Sequence, residues 1–123
     1  MAADTLGILL ISGEYARGHY AFVLAAGAAA IGRQVIVFAS NDGCHALALD
    51  LSRYTEAEAG VRASGVADLV TLRQASSDLG VRMIACEAGL RVSSLTAALA
   101  PGVEVAGVVT FLEAIRGGQV ITL

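Results

Sequence analysis

A chain of 123 residues with eight basic and eleven acidic side chains, net charge −3, has room for one domain with its own core and offers no basic surface to nucleic acid. At 56% hydrophobic and a mean hydropathy of +0.71 it holds more apolar side chain than one small core absorbs, which predicts a homo-oligomer. Its longest mainly apolar run, Tyr20 to Ile31, is too short for the roughly 18–20 residues of a bilayer span, and Asp4, with no basic residue before the first apolar run, argues against a secretory signal, so the expected place is the cytoplasm and not a membrane.

"LGILLIS", Leu6 to Ser12, is a continuous aliphatic run of strand length, as expected for a strand buried on both faces of a parallel sheet. Beyond Gly13-Glu14, Tyr20, Val23, Leu24, Gly27, Ala28 and Ile31 fall at helical spacing and predict the inward face of a first helix, with Gly32 as its stop. "QVIVFAS", Gln34 to Ser40, repeats the buried-strand pattern and runs into "NDGCHALALD", where Asn-Asp-Gly marks a turn.

From Leu51 to Gly65 the chain turns polar. Thr55 and Glu58 have the T-x-x-E spacing of a capping box, which predicts a short helix from Glu56, and the glycines around it make Ser52 to Gly65 the expected mobile flap. Val66, Leu69, Val70, Ala75 and Leu79 predict an amphipathic helix closed by Gly80, followed by a third strand, "VRMIA". The next helix is predicted to turn Leu90, Leu95, Ala98 and Leu99 inward and to run to Pro101-Gly102. "VEVAG" reads as a fourth strand; Val108, Phe111, Leu112 and Ile115 read as a last helix, and "QVITL" as the closing strand.

Strand and helix in alternation imply right-handed crossovers and a single three-layer α/β/α domain, residues 1–123, around a five-stranded, mainly parallel sheet. In such sheets chemistry gathers beyond the carboxyl ends of the strands, and Cys86 stands there, between the third strand and the start of a helix. A thiol at a helix start meets unpaired backbone N–H groups, which favour the thiolate that acts as nucleophile. Of its neighbours, Glu87 opposes that ionisation if it turns toward the sulfur and Arg91 assists it if it reaches back. A cysteine in that place can also do no more than fill space under the helix.

Cys44 and His45, after the second strand, fall on the same edge and offer a resolving thiol and a proton carrier; packed or merely exposed side chains are the plainer reading of both. His19, on the first helix, could face this edge too. The four side chains lack the spacing of a zinc motif, so no metal is expected, and "SGEYARGH" lacks the ending of a phosphate-binding loop, so no cofactor is expected either.

"GVADLVTLRQASSDLGVRMIAC" followed by "GVEVAGVVTFLEAI" is similar to the DsrE/DsrF-like sulfur-relay proteins, and "LGILLIS", "AAGAAAIGRQVIVFAS" and "DGCHAL" resemble the opening of that family, so the likeness spans nearly the whole chain. The resemblance implies an oligomer in which one cysteine accepts sulfane sulfur as a persulfide from a donor protein or passes it to an acceptor, and Cys86 stands at the matching position. The residues after it, "EAGLRVSS", have no counterpart in the pattern, and Cys44 matches no family cysteine. Two other readings stand beside it: a non-catalytic oligomeric module that binds a partner with Cys86 inert, and a redox sensor in which Cys44 and Cys86 pair reversibly, which requires their Cα atoms within roughly 7 Å.

Overall fold

The computed structural model describes residues 4–123. Five strands, β1 (Leu6–Leu10), β2 (Val35–Ala39), β3 (Arg82–Cys86), β4 (Glu104–Ala106) and β5 (Gln119–Thr122), form one sheet in the order β4-β3-β2-β1-β5, and every adjacent pair is parallel. Helices α1 (Tyr15–Ala30), α2 (Thr55–Ala63), α3 (Leu69–Asp78), α4 (Glu87–Val92) and α5 (Val108–Ala114) connect them in the expected three-layer α/β/α arrangement.

The strand order decides which face each helix covers. The chain steps one way from β1 to β4 and then returns past β1 to lay down β5. A right-handed crossover therefore puts the earlier helices on one face and α5 on the other. Alternation along the strands feeds both layers: Ile8, Leu10, Val37, Ala39, Met83 and Ala85 pack under α1 and α3, whereas Ile36, Phe38, Ile84 and Cys86 pack under Phe111 and Ile115 of α5. The α5 layer is seated directly on β1. A Cβ at Gly7 would lie 2.7 Å from Ile115 Cγ2 and 3.0 Å from the Phe111 ring, so only glycine admits the helix there.

Several expected faces differ. In α1 the buried residues are Gly18, Ala21, Phe22, Ala25 and Ala28, while Tyr20 and Ile31 are exposed. The helix is apolar nearly all round, and the face laid on the sheet is built from small residues around one large one, Phe22. In α3 the inward positions are Leu69, Arg73 and Ser76, with Val66, Val70 and Leu79 exposed. Asp68 caps that helix by accepting the Thr71 N–H at 2.9 Å and fixes its rotation. The helix after Cys86 stops at Val92 instead of reaching Pro101, and Ser94 has φ +55°. From there the chain is tied to residues 47–49 by an isolated antiparallel bridge between Ala48 and Leu99, with Leu49 N–H to Ala98 O and Ala100 N–H to Leu47 O each 2.8 Å; Ala98 is exposed and Leu95 and Leu99 are half-buried.

The expected flap is a 3-10 turn, Ser52–Tyr54, running into α2, and it is fastened at two points. Tyr54 is buried and its hydroxyl donates to Gly13 O at 2.8 Å. Glu58 is buried as well, and it makes no capping box with Thr55, whose hydroxyl donates to Ser52 O. Its carboxylate instead crosses to α3, accepting the N–H groups of Leu69 at 2.6 Å and Val70 at 3.1 Å, and also takes the Tyr15 hydroxyl. A carboxylate there satisfies two of the four orphan donors of a helix start.

Candidate functional site

Cys86 is both the last residue of β3 and the N-cap of α4. Its backbone is extended, φ −68° and ψ 123°, so the strand pleat aims the side chain toward the α5 layer while the next residue begins a helix. The sulfur accepts the Gly89 N–H at 3.4 Å. Cys86 is 9% exposed and borders Ile84, Ala106 and Phe111; the Phe111 ring is stacked on Phe38 at 4.8 Å between centroids. The sulfur thus stands at the margin of the α5-side core, at the carboxyl edge of the sheet.

Gly89 makes this geometry possible. A Cβ on it would lie 2.5 Å from the backbone nitrogen of Asn41 and 2.6 Å from Ser40 Oγ, so α4 can rest on the end of β2 only because that residue has no side chain. Asn41 itself has φ +54°, and its Oδ1 accepts the Ser40 hydroxyl at 2.8 Å. The two charges nearest in sequence are spent on each other. Arg91 Nη2 lies 2.8 Å from Glu87 Oε1 along the exposed side of α4, so neither is committed to the sulfur.

Cys44 has a different environment. It lies in the 3-10 segment Asn41–Leu47, is 0% exposed, packs in the core under α1, and its thiol donates to Ala39 O at 3.5 Å. Burial, helped by the nearby Cys86 sulfur, pushes this thiol up to about 11. Both cysteines are free thiols, but they belong to opposite layers of the sheet.

His45 is half-buried in the same segment, in a groove of about 580 Å3 that Asp42, Arg53 and Ser93 also line. Desolvation and the Arg53 charge hold its imidazole below the ordinary histidine value, against the opposing pull of Asp42. His19 is occupied elsewhere: its Nε2 lies 2.8 Å from Ala67 O, and its ring stacks on Tyr15. Among the described residues no three metal-ligating side chains gather.

Three residues at and around the site escape a reading by motif. Gly89 carries a weak signal, an isolated glycine inside a helical pattern, which costs about 1 kcal/mol against alanine and is usually retained for packing. Glu58 and Arg73 carry none, because the groups they serve lie far away in sequence. Arg73 Nη1 donates to Ala46 O at 2.9 Å and Ala48 O at 2.7 Å and so fastens the segment that holds Cys44 and His45.

No curated protein matches the chain. Residues 6–123, essentially the whole sequence, match the DsrE/DsrF-like family, and the chain therefore belongs to the DsrE/DsrF-like family.

Proposed function

We propose that this protein carries sulfane sulfur on Cys86, working as one domain in the cytoplasm. The observation that carries the reading is the sulfur's position at the carboxyl edge of the sheet, with the Gly89 N–H donated to it, in a chain of a family associated with sulfur relay. The Cys86 thiolate attacks the outer sulfur of a donor persulfide, R–S–SH. The donor's S–S bond breaks as the new one forms, giving Cys86–S–SH and R–S⁻. An acceptor thiolate then takes the outer sulfur in the same way and returns Cys86 as thiolate. Both steps exchange one S–S bond for another, so no external oxidant or reductant is consumed. A donated N–H suits an atom that is anionic before the first step and again after the second.

Donor and acceptor have to come to the sulfur, since Cys86 is largely enclosed. The α5 side of the sheet suits protein contact: Val108, Val109 and Leu112 on α5 and Val120 on β5 are all exposed and apolar. We place the interface of a homo-oligomer on this half-covered face of the sheet. The enclosure of Cys86 is also the observation that favours the second reading, a partner-binding module with an inert thiol. Alkylation kinetics separate the two. A sulfur carrier has Cys86 modified by iodoacetamide well before Cys44, and after treatment with a polysulfide the alkylated Cys86 peptide carries one additional sulfur atom. Modification of Cys86 only at the rate of global unfolding leaves the module.

A further inference from the structure

We infer that Arg73 forms the floor of a binding site for a small oxyanion, separate from Cys86 and independent of the sulfur-carrier reading. Arg73 is 7% exposed, and among the described residues no carboxylate lies within 4.0 Å of its guanidinium, the ion pairs being those of Arg62, Arg82, Arg91 and Arg116. Its two hydrogen bonds both leave Nη1, for the carbonyls of Ala46 and Ala48. The Nε and Nη2 edge, the fork that fits an oxyanion with two parallel N–H bonds, has no protein partner among the described residues.

That edge is not sealed. The one fully enclosed side-chain nitrogen or oxygen without a partner, among the described residues, is Ser76 Oγ, so both Nε and Nη2 keep access to solvent. Arg73 lines a cleft of about 110 Å3 between α3 and the chain before β4, together with Gln74, Ser77, Met83 and Pro101, and we take this cleft as the side from which an anion would approach the fork. A cation removed from bulk water and given only neutral carbonyls is held at a cost that a bound anion offsets. Glu58 acts on it only at a distance, and its own carboxylate is already engaged by two N–H groups and the Tyr15 hydroxyl.

The size of the cleft selects the ligand class. It is well below the 300 Å3 or more that drug-sized and cofactor ligands fill, and Ser77 brings a hydroxyl to its wall, while the Gln74 amide there is held by Asp78, to which Nε2 donates at 3.0 Å. Phosphate and sulfate share the required chemistry, and the experiment separates them.

The test uses the full chain. Backbone amide shifts are followed by NMR while sodium phosphate or sodium sulfate is added, with sodium chloride at matched ionic strength as the third arm. The expected result is saturable shifts at residues 70–77 and 100–101 with one or both oxyanions, and the tighter of the two identifies the preferred ion. Ser77→Asp, an exposed position whose change leaves the Arg73 clamp intact, weakens binding at least fivefold, and Ser77→Lys strengthens it. Arg73→Lys, which keeps the charge but loses the fork, also weakens it. Equal shifts with chloride, or affinities unchanged in both Ser77 variants, overturn the proposal.

Discussion

Replacing Gly89 by alanine isolates the contact that sets the geometry of Cys86. The new methyl group would stand 2.5 Å from Asn41 N, 2.6 Å from Ser40 Oγ and 2.8 Å from Ser40 Cα, and the first of these has to open by about 0.9 Å to reach the ordinary 3.4 Å of van der Waals contact. The hydroxyl can rotate away. The Asn41 nitrogen and Ser40 Cα are backbone, and Asn41 already occupies the left-handed region, so α4 has to move. Overpacking of this kind costs about 1–3 kcal/mol, from which the better helix propensity of alanine returns about 1 kcal/mol, leaving a net loss of roughly 0–2 kcal/mol. A shift of that size away from the sulfur also breaks the bond from the Gly89 N–H, now 3.4 Å from Cys86 Sγ. Gly60, inside α2 with nothing within 4 Å of its Cβ position, is the matched control, and Gly60→Ala is expected to stabilise by about 0.4–1 kcal/mol. Urea unfolding at unchanged m gives the stabilities, and iodoacetamide gives the rate at Cys86. If Gly89→Ala gained as much stability as Gly60→Ala and left the Cys86 rate unchanged, the packing argument would be refuted.

Asp68→Ala is expected to cost about 1 kcal/mol, the usual loss of an N-cap, measured by urea unfolding. Burial alone would raise the Asp68 carboxyl, but the bonds from Thr71 and Arg62 outweigh it and hold the carboxyl below the ordinary aspartate value. The stability it contributes is therefore fully present above the unfolded value near pH 3.9 and is lost as pH falls through the lower folded one, so the difference between wild type and variant should vanish in that acid range. Cys44→Ser should leave sulfur loading at Cys86 intact while lowering the urea midpoint by the equivalent of about 1–3 kcal/mol, since it places a strongly polar group in a fully buried site. Leu112→Glu, at an exposed apolar position of α5, should convert an oligomer to a 12.5 kDa monomer in sedimentation without loss of helix content.

The strands were legible in the sequence because a parallel strand buried on both faces is written as an unbroken aliphatic run, and "LGILLIS" and "QVIVFAS" each contain the observed strand within them. The position of Cys86 followed from the same pattern. Helix faces were less legible, for two reasons. In α1 the buried face is Gly18, three alanines and Phe22, while Tyr20 and Ile31 stand outside it, so in a helix apolar nearly all round the spacing of apolar residues does not single out the inward side. In α3 an arginine and a serine face inward, and the compensation of the arginine comes from carbonyls some 25 residues away that no local window contains. Glu58 misleads similarly: its spacing from Thr55 fits a local cap, but it caps a helix eleven residues on. The enclosure of Cys44 depends on the segment around it folding back over the core, which a turn signal alone does not express.

The central claim, that Cys86 carries the sulfur, is tested most directly by intact-mass spectrometry of wild type, Cys86→Ser and Cys44→Ser after exposure to a polysulfide donor and removal of the excess. The account predicts a gain of one sulfur atom in wild type and in Cys44→Ser, lost on adding an acceptor thiol, and no gain in Cys86→Ser. Equal loading of wild type and Cys86→Ser, or loading abolished only in Cys44→Ser, would contradict it.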